Sequence, residues 1–402
     1  MFFYAIGYSF SLIASILMTR HLGPEGRGLV TSIASLISIG SVLALFGMTH
    51  VNKLVAAENK DAAGALFLVN IFICIASSII IVPLIYWLGK NPELSGKNSM
   101  LLVSGLLFIP VFAIAASCND ILMGMHKSRE YNTIFIVEKV LYAALIMAAI
   151  SLGLMTVPVA LALFYTSQVI RIILFCFFLS KYFSLQQLRK VGLLKLDGNF
   201  ILVNYYSSIC FAFSSSILPI LLSRFSSLDE TGYYAVARMV ADMLVVPSTL
   251  YSSYAINKLA GEREKPNYLK TKIILIISIM SFAAFIALAF YLISEPLIPL
   301  LFGRSFKIAT TCFRYLLPSV IFVTGYQMMN VIMLVEKKSG NILFLVSIYA
   351  LLPAILPFVI FHKIDAVTAA DSYSIACLVT FIAAVFLNIR SFLPRVSAKF
   401  MT

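Results

Sequence analysis

The sequence predicts an all-α polytopic membrane protein with about twelve transmembrane helices, and its composition is the first reason. Of the 402 residues, 61% are hydrophobic and 12% are charged, whereas roughly 25% of the residues in a soluble globular domain are charged. The mean hydropathy is +0.98. Apolar runs of about 20 residues, long enough to cross the hydrocarbon core of a bilayer as a helix, recur from one end of the chain to the other.

An internal repeat is the second reason. The segment Ile16–Arg20 (ILMTR), followed by Gly28, is echoed by Ile220–Arg224 (ILLSR), followed by Gly232, with an offset of 204 residues at these positions. The tripeptide NKL occurs at 52–54 and again at 257–259, one residue out of this register. Half-to-half repetition in a very apolar chain is typical of membrane transporters.

The repeat predicts two pseudo-symmetric six-helix bundles around a central cavity. We expect residues 1–180 to form the N-terminal bundle, 198–402 the C-terminal bundle and 181–197 a cytoplasmic linker. The linker alternates leucines with basic residues, which favours an amphipathic helix on the membrane surface. Both repeats then enter the membrane in the same direction, with the substrate path between them. The predicted helices are 2–19, 29–50, 64–88, 99–123, 133–154, 157–180, 198–223, 232–256, 268–294, 309–334, 341–361 and 367–390.

The lysines and arginines are distributed unevenly between the predicted loops. With the N-terminus in the cytoplasm, 18 of the 30 lie on the cytoplasmic side, 8 lie outside and four lie within spans. The positive-inside rule therefore predicts that both termini are cytoplasmic. The first span has no basic n-region or cleavage site, so we expect a retained helix rather than a signal peptide. Basic loops account for the net charge of +13, so it does not imply a nucleic-acid partner.

Two short motifs resemble those of a known family. The first helix ends in Arg20–Gly28 (RHLGPEGRG), and Leu301–Phe306 (LFGRSF) follows the ninth helix. Both are similar to segments of the polysaccharide-unit flippases (Wzx-type), which belong to the multidrug/oligosaccharidyl-lipid/polysaccharide exporter superfamily. The length of 402 residues is on the short side for that family.

This resemblance implies a flippase that moves polyprenyl-diphosphate-linked oligosaccharide repeat units by alternating access. The units would pass from the cytoplasmic to the periplasmic leaflet of the bacterial cytoplasmic (inner) membrane, for surface polysaccharides such as the O-antigen of lipopolysaccharide. The implied partners are the lipid-linked glycan, the lipid bilayer, a polysaccharide polymerase and a chain-length regulator, with H⁺ or another ion as counter-transported species. The chain is then not an enzyme and needs no cofactor. A diphosphate requires fixed cations, and arginine suits it because its planar fork donates two hydrogen bonds.

Five arginines are the candidate substrate-binding residues. A charge in the middle of a bilayer costs about 2.5 kcal/mol or more, so a function or a buried partner is expected for it. Arg171, one turn beyond Gln168 in the sixth helix, either lines the cavity or forms a structural ion pair. Arg238 can pair with Asp242, four residues further on, either to neutralise the helix or to take part in binding. The remaining candidates lie at helix ends, where snorkelling to the headgroups is the alternative: Arg20, Arg224 and Arg314.

Three carboxylates are candidates for ion coupling, because an ionisable group within the membrane often belongs to a proton or ion path. They are Glu138 in the fifth helix, Asp242 in the eighth and Asp371 in the twelfth, which lies nearer the interface and has a solvated or helix-terminal role as its alternative. Glu138 is followed by Lys139, but helix neighbours point roughly 100° apart and need not pair, and interfacial anchoring is the alternative for both. The four histidines and six cysteines have no metal-ligand spacing, so no metal is expected.

Three other functions compete with this interpretation. A drug or cation antiporter of the same superfamily would have the same architecture, but carboxylates rather than arginines would be expected in its cavity. A membrane polysaccharide polymerase or ligase would need a sizeable outer loop with catalytic residues, and no predicted outer loop exceeds about a dozen residues. The third is a peptidoglycan lipid-intermediate flippase, but members of that family typically carry two further helices beyond the twelve that this sequence predicts.

Overall fold

The computed structural model describes residues 2–96, 98–180, 198–262, 267–336 and 338–392. Within these ranges the chain forms fourteen α-helices and no β-strand. The linker helix predicted at 181–197 lies outside the described residues. The helices are α1 (Phe2–Ala44), α2 (Met48–Glu58), α3 (Ala63–Gly89), α4 (Pro92–Ser95), α5 (Ser99–Leu107), α6 (Ile109–Gly124), α7 (Ser128–Ser151), α8 (Val157–Leu179), α9 (Gly198–Phe225), α10 (Leu228–Glu262), α11 (Tyr268–Phe302), α12 (Lys307–Val335), α13 (Ser339–Leu356, continued by a π-helical turn, Pro357–Phe361) and α14 (Ala366–Phe392).

A kink divides α1 into the first two predicted spans. Gly23 has φ 69° and ψ −177°, a conformation that a side chain would strain, and Pro24 follows it. Proline has no backbone N–H to donate and its fixed φ suits the first turn of a helix, so the second segment begins there. The prediction of a loop from 20 to 28 was therefore wrong, and Arg27 lies inside a helix.

The second span also ends earlier than predicted. Phe46 and Gly47 both have positive φ, at 49° and 82°, and this turn separates α1 from the short α2. The span predicted at 29–50 is therefore the segment 24–44 of the structure. The fourth predicted span is interrupted once, at Phe108, because a new helix begins at Ile109 and Pro110, in its first turn, has no backbone N–H to continue the preceding helix.

Ten segments of the described chain are long and apolar enough to cross a membrane. One of them, Ile6–Ala44, covers most of the first two predicted spans, which lie on either side of the kink. The eighth predicted span lies in α10, which is not among the ten and carries Asp229, Glu230, Arg238 and Asp242. The prediction of an all-α, multi-pass membrane protein with about twelve spans is confirmed.

The chain forms two compact units. Unit 1 comprises residues 1–235 and 300–306, and its core is built where α1 packs against α3, α6, α7 and α9. Unit 2 comprises residues 236–299 and 307–402, and within it α12 packs along α14, which also contacts α13. The division into two six-helix bundles on either side of 181–197 stays a prediction.

Candidate functional site

Unit 1 contains a cavity of about 320 Å³ inside its membrane-spanning helices, and most of the residues that line it have polar side chains. Two cationic side chains, Arg27 and Lys139, line it together with six serines, and no carboxylate is among the described side chains that form its wall. The lining residues come from α1, α7, α8 and α9: Ser11, Ser15, Met18, Arg27, Val30, Thr31, Ala34, Ser35, Ser38, Lys139, Tyr142, Phe164, Ser167 and Ser216.

The second segment of α1 supplies one wall of this cavity through a polar stripe. Arg27, Thr31, Ser35 and Ser38 follow one another at intervals of four, four and three residues, which places them on one face of the helix. Arg27 was predicted to lie in an outer loop, and its place in the cavity was missed. Pro24, as a helix-starting residue, and the spacing of this stripe were the signals in the sequence that could have revealed it.

Lys139 belongs to a charged group on α7 and α8. Nε and Nη2 of Arg171 both donate to Oε2 of Glu138, the former at 2.8 Å, and Nζ of Lys139 donates to Oε1 of Glu138 at 3.1 Å. The Glu138 side chain is 0% exposed. Glu138 and Lys139 therefore do pair, although they are neighbours in the helix, because both long side chains bend toward the same space.

The group has a net positive charge that faces the cavity. Two cations share one carboxylate, and the cation that lines the cavity is Lys139, while Arg171 is not among the lining residues. Arg171 thus forms a structural ion pair with a buried partner, which is one of the two alternatives that the sequence left open for it. Its role in binding substrate stays a prediction, as does the ion-coupling role of Glu138.

Unit 2 holds the predicted pair in α10. Nε of Arg238 donates to Oδ1 of Asp242 at 2.7 Å, and the guanidinium lies 3.7 Å from the centre of the Tyr373 ring. Nη2 of Arg238 also donates to the hydroxyl of Tyr373 at 2.9 Å, and that hydroxyl is hydrogen-bonded to the hydroxyl of Tyr349. The Asp242 side chain remains 57% exposed. Arg238 is therefore fixed by an aromatic partner, whereas its carboxylate partner is accessible.

The other two candidates of unit 2 lie apart from this pair. Arg314 donates to Oγ of Ser294 at 2.9 Å and to Oε2 of Glu295 at 3.2 Å, and it lies over the ring of Tyr291. Asp371 is half-buried in α14, and no ion pair joins it to another residue in the described ranges. Nothing in the described structure brings either residue into the Arg238 cluster.

Arg20 and Arg224, the equivalent arginines of the repeat, make equivalent contacts. Nη2 of Arg20 donates to the carbonyl oxygen of Leu300 at 3.0 Å, near the end of α11. Nη1 of Arg224 donates to the carbonyl oxygen of Leu88 at 3.4 Å, near the end of α3. Because α3 and α11 are the third and ninth predicted spans, each arginine of one repeat binds the C-terminal end of the third helix of the other repeat.

The repeated glycines make a second reciprocal contact. A methyl group added to Gly28 would overlap the carbonyl oxygen of Leu228, and one added to Gly232 would overlap that of Pro24. Leu228 and Gly232 follow Pro24 and Gly28 by the same 204 residues. We call Arg20, Gly28, Arg224 and Gly232 with these contacts the repeat crossing. It joins the two repeats at one end of unit 1 by backbone approach that only glycine allows.

The sequence motif that predicted a duplication is thus a site of contact between the duplicated parts.

Within the described residues, no group of three or more His, Cys, Asp or Glu side chains could hold a metal ion.

The fold is that of the transporters of the MOP superfamily. A multidrug-resistance MATE family transporter of that superfamily, in an inward-facing conformation, has a TM-score of 0.72 at 15% identity, over 97% of this chain and 96% of that one. The lipid II flippase MurJ, in an inward closed conformation, has a TM-score of 0.68 at 15% identity, over 98% and 89%. A MOP superfamily transporter from Pyrococcus furiosus, described as having a binding pocket of reverse polarity, has a TM-score of 0.66 at 13% identity, over 96% and 93%.

The sequence profile of one family matches residues 1–259, and that family is described as "Polysaccharide biosynthesis protein". The chain belongs to this family. This confirms the family resemblance drawn from the two motifs. Comparison with curated protein sequences finds no significant match.

Proposed function

We propose that this protein is a flippase that moves polyprenyl-diphosphate-linked oligosaccharide repeat units from the cytoplasmic to the periplasmic leaflet of the bacterial inner membrane, by alternating access. The single observation that carries the proposal is the cationic, serine-lined cavity within the membrane-spanning helices of unit 1. Family membership in polysaccharide biosynthesis supports the glycan, and the likeness to a structure named as a lipid II flippase supports lipid-linked transport.

The charges of the cavity favour an anionic substrate. Arg27 and Lys139 project charge into a low-dielectric space, where an anion gains far more electrostatic energy than in water. A diphosphate accepts several charge-assisted hydrogen bonds, and serine hydroxyls can donate to its remaining oxygens or to sugar hydroxyls. Arg171 contributes by pairing with Glu138, which leaves the group of Glu138, Lys139 and Arg171 with a net positive charge. Arg238 is a second candidate contact, because phosphate can compete with the exposed Asp242 for its guanidinium.

The repeat crossing is proposed as the gate on the periplasmic side. In the predicted orientation, Arg20, Leu88, Arg224 and Leu300 all lie at periplasmic helix ends, so their hydrogen bonds close that side of unit 1. Release of the substrate to the outer leaflet would then require both bonds to break. This supports the role of exit gate for Arg20 and Arg224.

A drug or cation antiporter is the second candidate, favoured by the likeness to a multidrug-resistance transporter. Under this alternative Glu138, Asp242 or Asp371 would bind the cation or the coupling proton. Glu138 is already satisfied by two cations and Asp242 by Arg238, so of these three carboxylates only Asp371 has no basic partner among the described residues. The carboxylates are thus poorly placed to attract a cationic drug. No catalytic site among the described residues supports a polymerase or ligase.

The test is a proteoliposome assay that follows a fluorescent, polyprenyl-diphosphate-linked oligosaccharide between leaflets, with and without a proton gradient. We expect Lys139→Gln to slow flipping at least about tenfold, because a charge-assisted hydrogen bond contributes roughly 1.5–3 kcal/mol. Lys90→Gln, at an exposed lysine just beyond α3, is the matched control and should flip at the unmodified rate. Efflux of a cationic dye without flipping of the lipid would contradict the proposal and favour the antiporter.

A further inference from the structure

Helix α8 presents two different surfaces to two different spaces. Phe164 and Ser167 line the basic cavity, whereas Leu161, Tyr165 and Val169 line a separate groove. At about 100° per residue, the two sets point roughly 130° apart around the helix. One helix therefore separates a polar, cationic space from an apolar one.

The groove has a volume of about 450 Å³ and lies between α5, with Phe108 at its end, and α8. Every lining residue belongs to the segments Ser99–Gly124 and Val157–Leu179, which are long and apolar enough to cross a membrane. In a bilayer such a groove is filled by hydrocarbon. Its lining residues are Leu101, Ser104, Phe108, Pro158, Leu161, Ala162, Tyr165, Thr166 and Val169.

Aromatic rings lie between the groove and the cavity. The ring of Phe112 is 4.9 Å from that of Phe164, which faces the cavity, and 6.3 Å from that of Tyr165, which faces the groove. The Tyr165 ring in turn stacks on Phe108 at 4.4 Å. We call Phe108, Phe112, Phe164 and Tyr165 the aromatic partition.

We propose that the groove holds the polyprenyl chain of the transported lipid while the diphosphate occupies the basic cavity. This inference rests on the proposed function and adds a binding site for the tail. An amphiphile of this kind needs a cationic site and a hydrocarbon site within the span of one molecule, and α8 carries one on each side. In the predicted orientation α5 and α8 both begin at the periplasmic surface, so the groove lies in the outer half of the bilayer and receives the chain on the release side.

Three arguments favour the polyprenyl chain over an acyl chain of an ordinary phospholipid. The groove is concave and partly floored by the buried Tyr165. It adjoins a cavity whose charge complements a diphosphate. The aromatic partition that separates the two spaces offers flat rings against which the planar double bonds of isoprene units can pack.

The test is photo-crosslinking in proteoliposomes of the full chain. The probe is a polyprenyl diphosphate with a benzophenone in its prenyl chain, and the comparison probe is phosphatidylcholine with a benzophenone in one acyl chain. We expect the prenyl probe to label peptides that contain Leu101, Ala162 or Val169, and unlabelled polyprenyl diphosphate to compete with it. Equal labelling by the phosphatidylcholine probe, or prenyl labelling elsewhere, would overturn the proposal.

Two variants on α8 form a matched pair. Ala162→Trp fills the groove at an exposed lining position, and Ile173→Trp adds the same bulk at an exposed position of the same helix outside the groove. We expect the first to reduce prenyl labelling and flipping at least about tenfold, and the second to change neither. Equal effects of both substitutions would contradict the tail site.

The failure of this inference can be told from failure of the proposed function. Binding of the prenyl probe that depends on Lys139 but leaves the groove unlabelled overturns the tail site and leaves the flippase standing. A complete lack of specific binding of the polyprenyl diphosphate overturns both.

Discussion

Glu138 shows how a charge is accommodated inside this membrane protein. Its carboxylate is fully buried, and it is stabilised by Arg171 from α8 and Lys139 from its own helix. A buried ion is tolerated only when partners satisfy it, and the loss of one partner exposes the full cost of burying the other. The three side chains therefore act as one group. A single substitution in this group changes both stability and charge.

Removing Arg171 tests whether its charge has a role beyond this pairing. We expect Arg171→Met to destabilise the folded state by about 3–5 kcal/mol, because Glu138 is left with Lys139 alone. The double variant Arg171→Met, Glu138→Leu should recover part of the thermal stability in detergent, because the buried carboxylate is removed together with its partner and only Lys139, which borders the cavity, loses its ion pair. It should still flip the lipid slowly if the guanidinium itself serves the substrate, because the net charge of the group stays at +1 while the guanidinium is lost. Full recovery of flipping by the double variant would show that Arg171 serves only as the partner of Glu138.

The equivalent contacts of Arg20 and Arg224 give a prediction in which two residues should behave alike. Each donates one hydrogen bond to a helix-end carbonyl, an interaction of about 0.5–1.5 kcal/mol, so Arg20→Gln and Arg224→Gln should change stability little. If they form the gate, each should make a cysteine introduced at Ser35 in the cavity more reactive toward a membrane-impermeant reagent added from the periplasm. Arg129→Gln, at an exposed residue at the start of α7, is the control and should leave the reactivity unchanged. Unchanged reactivity in the two gate variants would contradict the gate.

At the scale of the elements, most helices were predictable because hydrophobic length and loop composition determine them. The spans predicted at 64–88, 157–180, 268–294 and 309–334 correspond to α3, α8, α11 and α12 and each begins within two residues of the prediction. The second span was misplaced because Gly23-Pro24 was interpreted as a loop, whereas the chain turns at Gly23 alone and resumes its helix at Pro24. The cavity depended on that detail, so Arg27 was missed along with it.

The crossing of α1 and α10 makes a prediction at the level of helix packing. Gly28→Ala and Gly232→Ala should each destabilise the protein by about 1–3 kcal/mol, because the added methyl group meets backbone atoms that cannot move aside without separating the helices. Gly261→Ala, near the other end of α10, is the matched control, because no atom lies within 4 Å of its added methyl group. It should be neutral or stabilising, by up to about 1 kcal/mol. Thermal unfolding in one detergent measures all three, and equal stability of Gly28→Ala and Gly261→Ala would exclude a close crossing.

At the scale of the whole molecule, composition and the internal repeat were sufficient to predict the class of fold, because a bilayer admits few alternatives to a helical bundle for such a chain. The chemistry of the sites was less predictable. Arg238 and Asp242 are four apart in one helix, and their pairing followed from sequence distance alone. The pairing of Arg171 with Glu138, and the position of Tyr373 against Arg238, join residues of different helices and depend on packing that no local spacing encodes.

The orientation of the molecule is its last global property, and it determines which side each site serves. The excess of lysine and arginine in alternate loops predicts cytoplasmic termini, and moving Arg27 from an outer loop into α1 increases that bias. A green fluorescent protein fused after Thr402 should therefore fluoresce, and alkaline phosphatase at the same position should be inactive. Alkaline phosphatase fused within the outer segment 91–98 should be active, because the chain there has crossed the membrane three times from a cytoplasmic N-terminus. The opposite pattern would place the repeat crossing on the cytoplasmic side, and Arg20 and Arg224 would then close the entrance to the cavity rather than its exit.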